Sequence, residues 1–505
     1  MKKIFLTFVF CFSAIYAHAQ SGYNITINLK NCNDTIAFLT FYQFDKTLIK
    51  DTCTNIKNGR IVFKGKNKLD KGIYTLVSQK KSIYFDFFID DQTQVLELNN
   101  DLAKNDLEDL SAVNSPLENE FFTYIKFINK QNKEFQDYRT EINVKTKKDT
   151  LLLNEKQKVL DKRIQAYERS FLEKNKETYI AEVLNIKMEK ALQDIPKASN
   201  GRPDSIVAYK YYKKHYWDNI DFKEDATMRN PFFSPKLKKY FESVIVSYPD
   251  SVIVEVDRIL EKTKPGSFLN KYMLANLTYT YETSKIMGLD KVFVHISDKY
   301  FKTGKAAGIY DDESVINRII KRADLLRPLL IGATAPDLSM IKAEDYPIVK
   351  KMAFEAAKTS DEATKVYYAN EGTLNKMFNH LYSVNANFII LVFWDVDCGH
   401  CQKEIPKLIK LYNELKKDKK DVKVYSVYTL HEGDKYLKYI ADNGLQDWIN
   451  VYDGAHINNV TVKYDIYSTP VIYVLDKNKK IKAKRIGVEQ LKDVIKEMEK
   501  EYLKK

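Results

Sequence analysis

The sequence lacks several features that would point to common classes of protein. Beyond the N-terminus, no stretch approaches the roughly eighteen consecutive apolar residues of a transmembrane helix, which argues against a membrane span there. No repeat of fixed period occurs, so a solenoid is not supported. A Cys-x-x-Cys segment occurs once, and no second one exists that could complete a tetrahedral zinc site.

Charge of one sign is not concentrated anywhere in the chain. The formal net charge is +13, but the 81 Lys and Arg residues are scattered among 68 Asp and Glu residues. This mixture is typical of a solvated surface rather than of a basic patch that binds nucleic acid. We therefore expect no nucleic-acid partner.

The N-terminus has the pattern of a secretory signal. Lys2 and Lys3 precede an apolar run from Ile4 to Tyr16, and the small-x-small triplet Ala17-His18-Ala19 follows. This pattern predicts a signal peptide over residues 1–19 and a mature protein exported to the periplasm or cell envelope. The small residues of a lipoprotein box are missing around the cysteine in the apolar run, so lipid anchoring is not favoured.

Length and patterning divide the remaining chain into about three domains. Between residues 20 and 110, short alternating strands separated by Asn, Asp and Gly turns predict an antiparallel β-sandwich. Cys32 and Cys53 both lie in this region, where an oxidising compartment would allow a structural disulfide. That bond would close a loop of about twenty residues and contribute roughly 3 kcal/mol. Two buried, unpaired thiols are the alternative.

Residues 111–330 predict an α-helical domain. Ser115 followed by Pro116 and Glu118 has the pattern of a helix start with a capping box. Apolar stripes at helical spacing follow, and such stripes more often form a core than a cofactor site. His215 and Asp218 could form an acid-base pair, but a helix end packed around its neighbouring tryptophan is the favoured interpretation.

Two cysteines stand at a predicted strand-to-helix corner. The buried run from Phe388 to Trp394 predicts a strand, and helical spacing begins at Gly399. Because the unpaired N–H groups of a first helical turn stabilise an anion, Cys398 is expected to be an acidified thiol. Cys401 lies one turn further on, within reach of a disulfide. His400 and Asp397 have opposite effects on the Cys398 thiolate, and the sequence leaves the net sign open.

This corner resembles the active site of the thioredoxin superfamily. The Cys398-x-x-Cys401-x-x-Glu404 pattern with a following proline is most similar to the TlpA/ResA-like thiol:disulfide oxidoreductases. About seventy residues later, Thr469 and Pro470 resemble the cis-proline loop of that family. The resemblance implies that Pro470 is cis and that the Thr469 backbone pairs with a substrate strand.

The resemblance extends to the domain boundary and to the leading regions. A G-x-x-A-P-D segment at residues 332–337 resembles the opening of TlpA-like domains, which places the thioredoxin-like α/β domain at residues 331–505. The β region and the helical region resemble two uncharacterised domains that precede such modules in Bacteroidetes proteins. The expected fold class is thus a multidomain α+β protein. Residues 341–385 are longer than the usual connection and could form a lid or a packed insertion.

The implied activity is thiol:disulfide exchange with proteins of the cell envelope. Cys398 would attack a substrate disulfide and Cys401 would resolve the mixed disulfide. Glu404 is the candidate base for the Cys401 proton, with a solvent-facing glutamate as the alternative and Asp395 as a weaker candidate. We expect no cofactor beyond the redox-active Cys398–Cys401 disulfide. The substrate contacts are predicted at Thr469 and Pro470, together with His400 and Trp394.

The direction of electron flow is less well defined by the sequence. The Gly399-His400 dipeptide matches that of protein disulfide isomerases, whose potential of roughly −180 mV suits oxidation or isomerisation. The TlpA/ResA-like relatives instead act mainly as reductases supplied by a membrane thiol carrier. A reductase or an isomerase is therefore expected. A peroxiredoxin is disfavoured because its Pro and its Thr or Ser are missing ahead of Cys398.

Two other classes of function remain as alternatives. The chain could be a non-catalytic envelope binding protein that uses a thioredoxin-like scaffold. A zinc site at Cys398, His400 and Cys401 is the second alternative, but adjacent ligands on one helical turn rarely converge on one ion. No metal is expected.

Overall fold

The protein is described by a computed structural model that covers residues 22–80, 83–103 and 107–503. The chain divides into two compact units, Met1–Val244 with Lys262–Leu269 and Ile245–Glu261 with Asn270–Lys505. The predicted signal peptide lies outside the described residues. The predicted domain limits after residues 110 and 330 stay predictions.

The first unit begins with two four-stranded β-sheets. One sheet has the order β4-β1-β7-β8 and the other the order β3-β2-β5-β6. The strands are β1 (Tyr23–Lys30), β2 (Ala37–Gln43), β3 (Lys46–Cys53), β4 (Arg60–Gly65), β5 (Gly72–Ser78), β6 (Tyr84–Ile89), β7 (Val95–Asp101) and β8 (Ser111–Ala112). The predicted N-terminal β architecture is confirmed.

The pairing differs from the prediction in one respect. β1 pairs antiparallel with β4 but parallel with β7, so the first sheet is mixed rather than purely antiparallel. Alternation along a strand reports which face is buried and carries no information about the direction of the neighbouring strand. Both sheets contribute to one hydrophobic cluster, with Ile25 and Ile27 of β1 and Leu39 of β2 fully buried in it.

The described residues of this unit also form five α-helices, and the first begins at Pro116, as predicted. They are α1 (Pro116–Ile142), α2 (Lys147–Lys174), α3 (Tyr179–Lys187), α4 (Ser205–His215) and α5 (Phe233–Lys239). The Ser115 hydroxyl caps α1 by accepting the Glu118 N–H at 3.2 Å. The Glu118 carboxylate does not complete a capping box, because it accepts the Phe88 N–H of β6 at 2.8 Å instead.

The C-terminal end of α4 is packed around a tryptophan, as the favoured interpretation of the sequence predicts. Trp217 is buried and packs edge-on against Tyr216 and Phe222. His215 Nδ1 and Asp218 Oδ2 lie 2.6 Å apart, and Lys190 also binds this carboxylate at 3.1 Å. The pair therefore belongs to a charged surface cluster beside a packed helix end.

In its described residues, the second unit has four further α-helices ahead of the C-terminal α/β domain. The helices are α6 (Pro249–Leu260), α7 (Phe268–Glu282, the last thirteen residues of which belong to this unit), α8 (Asp290–Ile296) and α9 (Glu313–Leu326). In the described part of the chain, no helix combines the length and hydropathy that crossing a membrane requires.

The C-terminal domain is built on a seven-stranded sheet with the order β10-β9-β13-β12-β11-β14-β15. Its elements are β9 (Ser339–Lys342), α10 (Tyr346–Val349), α11 (Ser360–Met377), β10 (Phe378–His380), β11 (Phe388–Trp394), α12 (Cys401–Lys417), β12 (Val422–Tyr428), α13 (Gly433–Asn443), β13 (Ile449–Tyr452), α14 (Val460–Lys463), β14 (Val471–Asp476), β15 (Ile481–Lys484) and α15 (Val488–Leu503). The predicted strand from Phe388 to Trp394 is β11, and the predicted helix after it is α12.

β11 lies inside the sheet and is buried along its whole length. It pairs parallel with β12 and antiparallel with β14. A strand covered on both faces requires the continuous apolar run that the sequence shows. The end of β11 is therefore a rigid point from which the next loop and α12 start.

The segment between residues 341 and 385 is at least partly a packed insertion. Phe354 and Leu374 are buried in the same core cluster as β11 and α12. β10 pairs with β9 and so adds an edge strand to the sheet. These contacts favour the packed insertion over a lid.

Candidate active site

The corner between β11 and α12 carries the two cysteines. α12 begins at Cys401, two residues later than the start predicted from Gly399. The Cys398 carbonyl nevertheless accepts the Gln402 N–H at 3.0 Å, in the spacing of a helical hydrogen bond. Cys398 therefore lies just before the first turn, where the positive end of the helix dipole stabilises an anion.

The Cys398 thiol is partly exposed and bound to the proline loop. Its Sγ–H donates to the Thr469 carbonyl oxygen at 3.3 Å. Burial acts to raise the pKa of Cys398, but hydrogen bonds from the Thr469 side chain, from Cys401 and from the His400 N–H outweigh it. The net effect holds the pKa below its ordinary value, so a larger fraction of Cys398 is thiolate at neutral pH.

The Cys401 thiol has the opposite character. It is 1% exposed. Burial, together with a smaller effect of the neighbouring Cys398, raises the pKa of Cys401 to about 11. A nucleophilic thiol must be both ionised and accessible, and of the two thiols Cys398 meets both conditions better than Cys401.

Thr469 and Pro470 lie beside the cysteines although about seventy residues separate them in sequence. The Thr469–Pro470 peptide bond is cis, as the family resemblance implies. Both residues and His400 line one cavity of about 1080 Å³. Three of the four predicted substrate contacts are therefore brought together at one surface.

The fourth predicted contact, Trp394, is placed differently. It is 1% exposed, and its indole N–H donates to the Ser426 hydroxyl at 2.8 Å. Its ring packs edge-on against Tyr436 and Tyr439. This corrects the predicted substrate contact: Trp394 ends a strand buried on both faces, so its side chain belongs to the core.

The acidic side chains near the cysteines have partners of their own. Glu404 lines the same cavity, and its carboxylate accepts a hydrogen bond from Lys407 Nζ at 2.5 Å. Asp397 pairs with Lys435 at 2.7 Å, which compensates the negative charge expected to oppose the thiolate. Asp395 accepts the Asp397 N–H at 2.8 Å and so shapes the turn before Cys398. The role of Glu404 as a base stays a prediction.

Among the described residues, two further cysteines lie in the β-sandwich, more than 300 residues before Cys398 in sequence. Cys32 and Cys53 are half-buried free thiols that pack against the hydrophobic cluster of the two sheets. Their predicted disulfide is not formed in this structure and stays a prediction. Among the described residues, no group of three or more His, Cys, Asp or Glu side chains is arranged to hold a metal ion.

The structure adds residues that the sequence did not single out. Buried Asp465 precedes the proline loop and binds Arg322 of α9 and Arg485 beside β15. Lys484 binds Asp290 of α8. These charged residues are ordinary in sequence, and no local pattern distinguishes them from the many other Lys, Arg and Asp residues. In two of these three pairs, Arg322 with Asp465 and Lys484 with Asp290, the partners are more than 140 residues apart in sequence.

This combination of fold and site defines a thioredoxin-like domain. The family described as Thioredoxin-like matches residues 385–481, so the chain contains a domain of this kind. Two families described as domains of unknown function match the leading regions, DUF4369 at residues 23–121 and DUF5106 at residues 168–310. No curated protein matches the chain.

Several solved structures are similar to parts of the chain. A domain of a possible thiol-disulfide isomerase from Cytophaga hutchinsonii is 34% identical, over 35% of this chain and 99% of that one, with a TM-score of 0.27. A thioredoxin-like protein from Bacteroides caccae is 18% identical over 60% of this chain and 98% of that one, with a TM-score of 0.32. A thiol:disulfide interchange protein from a Bacteroides species is 22% identical over 33% of this chain and 88% of that one, with a TM-score of 0.23.

Proposed function

We propose that this chain is an exported thiol:disulfide oxidoreductase that reduces or isomerises disulfides in cell-envelope proteins through Cys398 and Cys401. The observation that carries the proposal is the asymmetry of the two thiols. Cys398 is partly exposed with a lowered pKa, whereas the pKa of buried Cys401 is raised to about 11 by desolvation. Such a pair separates the roles of attack and resolution.

In the first step, the Cys398 thiolate attacks one sulfur of the substrate disulfide. A bond forms between Cys398 Sγ and that sulfur while the substrate S–S bond breaks, and the second substrate sulfur leaves as a thiolate. The Thr469 backbone orients the incoming substrate chain, because its carbonyl oxygen lies 3.3 Å from Cys398 Sγ. The product is a mixed disulfide.

In the second step, Cys401 loses its proton and attacks Cys398 Sγ. The mixed disulfide breaks, the substrate leaves with its second thiol, and the protein retains a Cys398–Cys401 disulfide. Because the pKa of Cys401 is raised to about 11 by burial, its thiolate is rare at neutral pH and a base accelerates this step. Glu404, in the first turn of α12, is the proposed base. A membrane thiol carrier would return two electrons when the protein acts as a reductase.

The test is insulin reduction by dithiothreitol, catalysed by the full mature chain. Cys398→Ser is expected to abolish catalysis, and Cys401→Ser is expected to accumulate a mixed disulfide on Cys398. Cys53→Ser is the matched control, because this thiol lies in the β-sandwich and should leave turnover unchanged.

Absence of turnover in the unmodified protein would contradict the proposal. It would support the alternative, a non-catalytic envelope binding protein with a thioredoxin-like scaffold. In the native host, a Cys401→Ala variant should retain envelope proteins on Cys398 that a Cys398→Ala variant does not retain.

A further inference from the structure

The segment that joins α7 to α8 forms one wall of the cavity at the redox site. Residues 283–288 line the cavity together with Thr469 and Pro470. Ile286 is 55% exposed, and its neighbour Met287 is also exposed. This segment belongs to the helical part of the chain, which the thioredoxin mechanism does not use.

A further exposed apolar side chain lies in the proline loop. Tyr467, two residues before Thr469, is 72% exposed and lines the same cavity. Single exposed apolar residues are normal on protein surfaces. Several exposed apolar residues that line one concave site beside a reactive thiol are informative, because such clusters mark binding surfaces.

The size and charge of the cavity restrict what it accepts. At about 1080 Å³ it is slightly larger than ordinary ligand sites, which span roughly 300–1,000 Å³. Its lining contains five cationic and five anionic side chains, apart from His400. Several of them are paired with one another, including Asp465 with two arginines, Lys484 with Asp290, and Glu404 with Lys407. The lining therefore does not select a strongly charged small molecule.

The same ion pairs hold this wall in place. Asp465 connects the proline loop to α9 through Arg322, and Lys484 of β15 binds Asp290 at the start of α8. Met287 Sδ also accepts the Lys484 N–H at 3.4 Å. The α7–α8 segment is thus fixed relative to Thr469, as a preformed binding site requires.

We propose that Ile286 and Tyr467 bind apolar side chains next to the reactive cysteine of a polypeptide substrate, so that the helical region selects disulfides in polypeptide chains over small-molecule disulfides. This inference rests on the proposed function and specifies its substrate class. The occupant is an extended polypeptide segment whose cysteine reaches Cys398. Its apolar side chains would lose contact with water against the α7–α8 segment, which contributes the affinity.

The test compares two disulfide substrates with the full mature chain. Insulin represents a polypeptide disulfide, and hydroxyethyl disulfide represents a small, uncharged one. Ile286→Ser is expected to lower kcat/KM for insulin about tenfold, mainly through KM, because it removes apolar contact area. The same variant should leave kcat/KM for hydroxyethyl disulfide unchanged, and Ile286→Leu should restore insulin reduction.

The matched control is Val254→Ser. Val254 lies on α6, is 62% exposed and is not among the cavity-lining residues, so both substrates should react at the original rates. Tyr467→Ser is a second variant, expected to affect insulin more than hydroxyethyl disulfide.

Equal kinetics of Ile286→Ser and the unmodified protein on insulin, or an equal loss on both substrates, would overturn the inference while leaving the oxidoreductase assignment intact. Failure of the unmodified protein to react with either disulfide would instead overturn the proposed function.

Discussion

The two cysteines of the reduced protein should react with iodoacetamide at very different rates. The pKa of Cys398 lies below the ordinary thiol value of 9.0, because hydrogen bonds outweigh the effect of its burial. Desolvation raises the pKa of Cys401 to about 11. The experiment varies the pH and measures the alkylation rate of each cysteine. The Cys401→Ser variant isolates Cys398, and the Cys398→Ser variant isolates Cys401.

The expected ratio of the two alkylation rates follows from the lowered pKa of Cys398 and the raised pKa of Cys401. A difference of more than about two pKa units makes the thiolate fraction of Cys398 at least about a hundredfold larger at neutral pH. A thiolate of higher pKa is intrinsically more nucleophilic, with a Brønsted slope of about 0.4–0.5. This effect makes the Cys401 thiolate roughly tenfold more reactive than the Cys398 thiolate and so offsets part of the difference in ionisation. A difference of at least about tenfold therefore remains, and the 1% exposure of Cys401 increases it.

The assay is mass spectrometry of alkylated peptides after short exposure to iodoacetamide between about pH 5 and pH 10, a range that brackets ordinary thiol ionisation. The rate at Cys398 should level off at a pH below the ordinary thiol pKa, whereas the rate at Cys401 should still rise at the upper end. Comparable rates at the two thiols near neutral pH, or a Cys398 rate that levels off only above the ordinary pKa, would falsify the assignment of roles.

Two further predictions concern carboxylates. Glu404→Gln should slow resolution of the mixed disulfide by about a hundredfold and leave alkylation of Cys398 unchanged, measured by single-turnover quenching; an unchanged resolution rate would remove Glu404 as the base. Burial raises the pKa of Glu118 well above its ordinary value, so its contribution to stability is complete below the unfolded-state pKa and is lost as pH rises toward the folded-state pKa. In urea unfolding, the free energy of unfolding of Glu118→Gln should therefore rise relative to that of the unmodified protein as the pH increases. A difference that does not change with pH would contradict this.

Much of the C-terminal domain could be predicted because its signals are local. The uninterrupted apolar run of β11 corresponds to a strand covered on both faces, and the change to helical spacing after it marks the start of α12. Cys398 and Cys401 were identifiable from their spacing at the strand-to-helix corner. Pro470 was identifiable from the residues around it.

Other features depended on neighbours that are distant in sequence. Trp394 shares the apolar run that made β11 predictable, yet its place in the core is set by Ser426 and by the aromatic rings around it. The Glu118 carboxylate was expected to cap its own helix and instead binds Phe88 of a strand. Both follow from the way elements pack, which no local pattern encodes.

By itself, the sequence determined that two thiols stand at the head of a helix and that a proline loop follows them. Only the tertiary structure decided that Cys401 is sealed from water while Cys398 contacts Thr469, and that Ile286 lines the same cavity. The physical reason is that periodicity is a property of consecutive residues, whereas desolvation and the composition of a cavity depend on every segment that packs around a site.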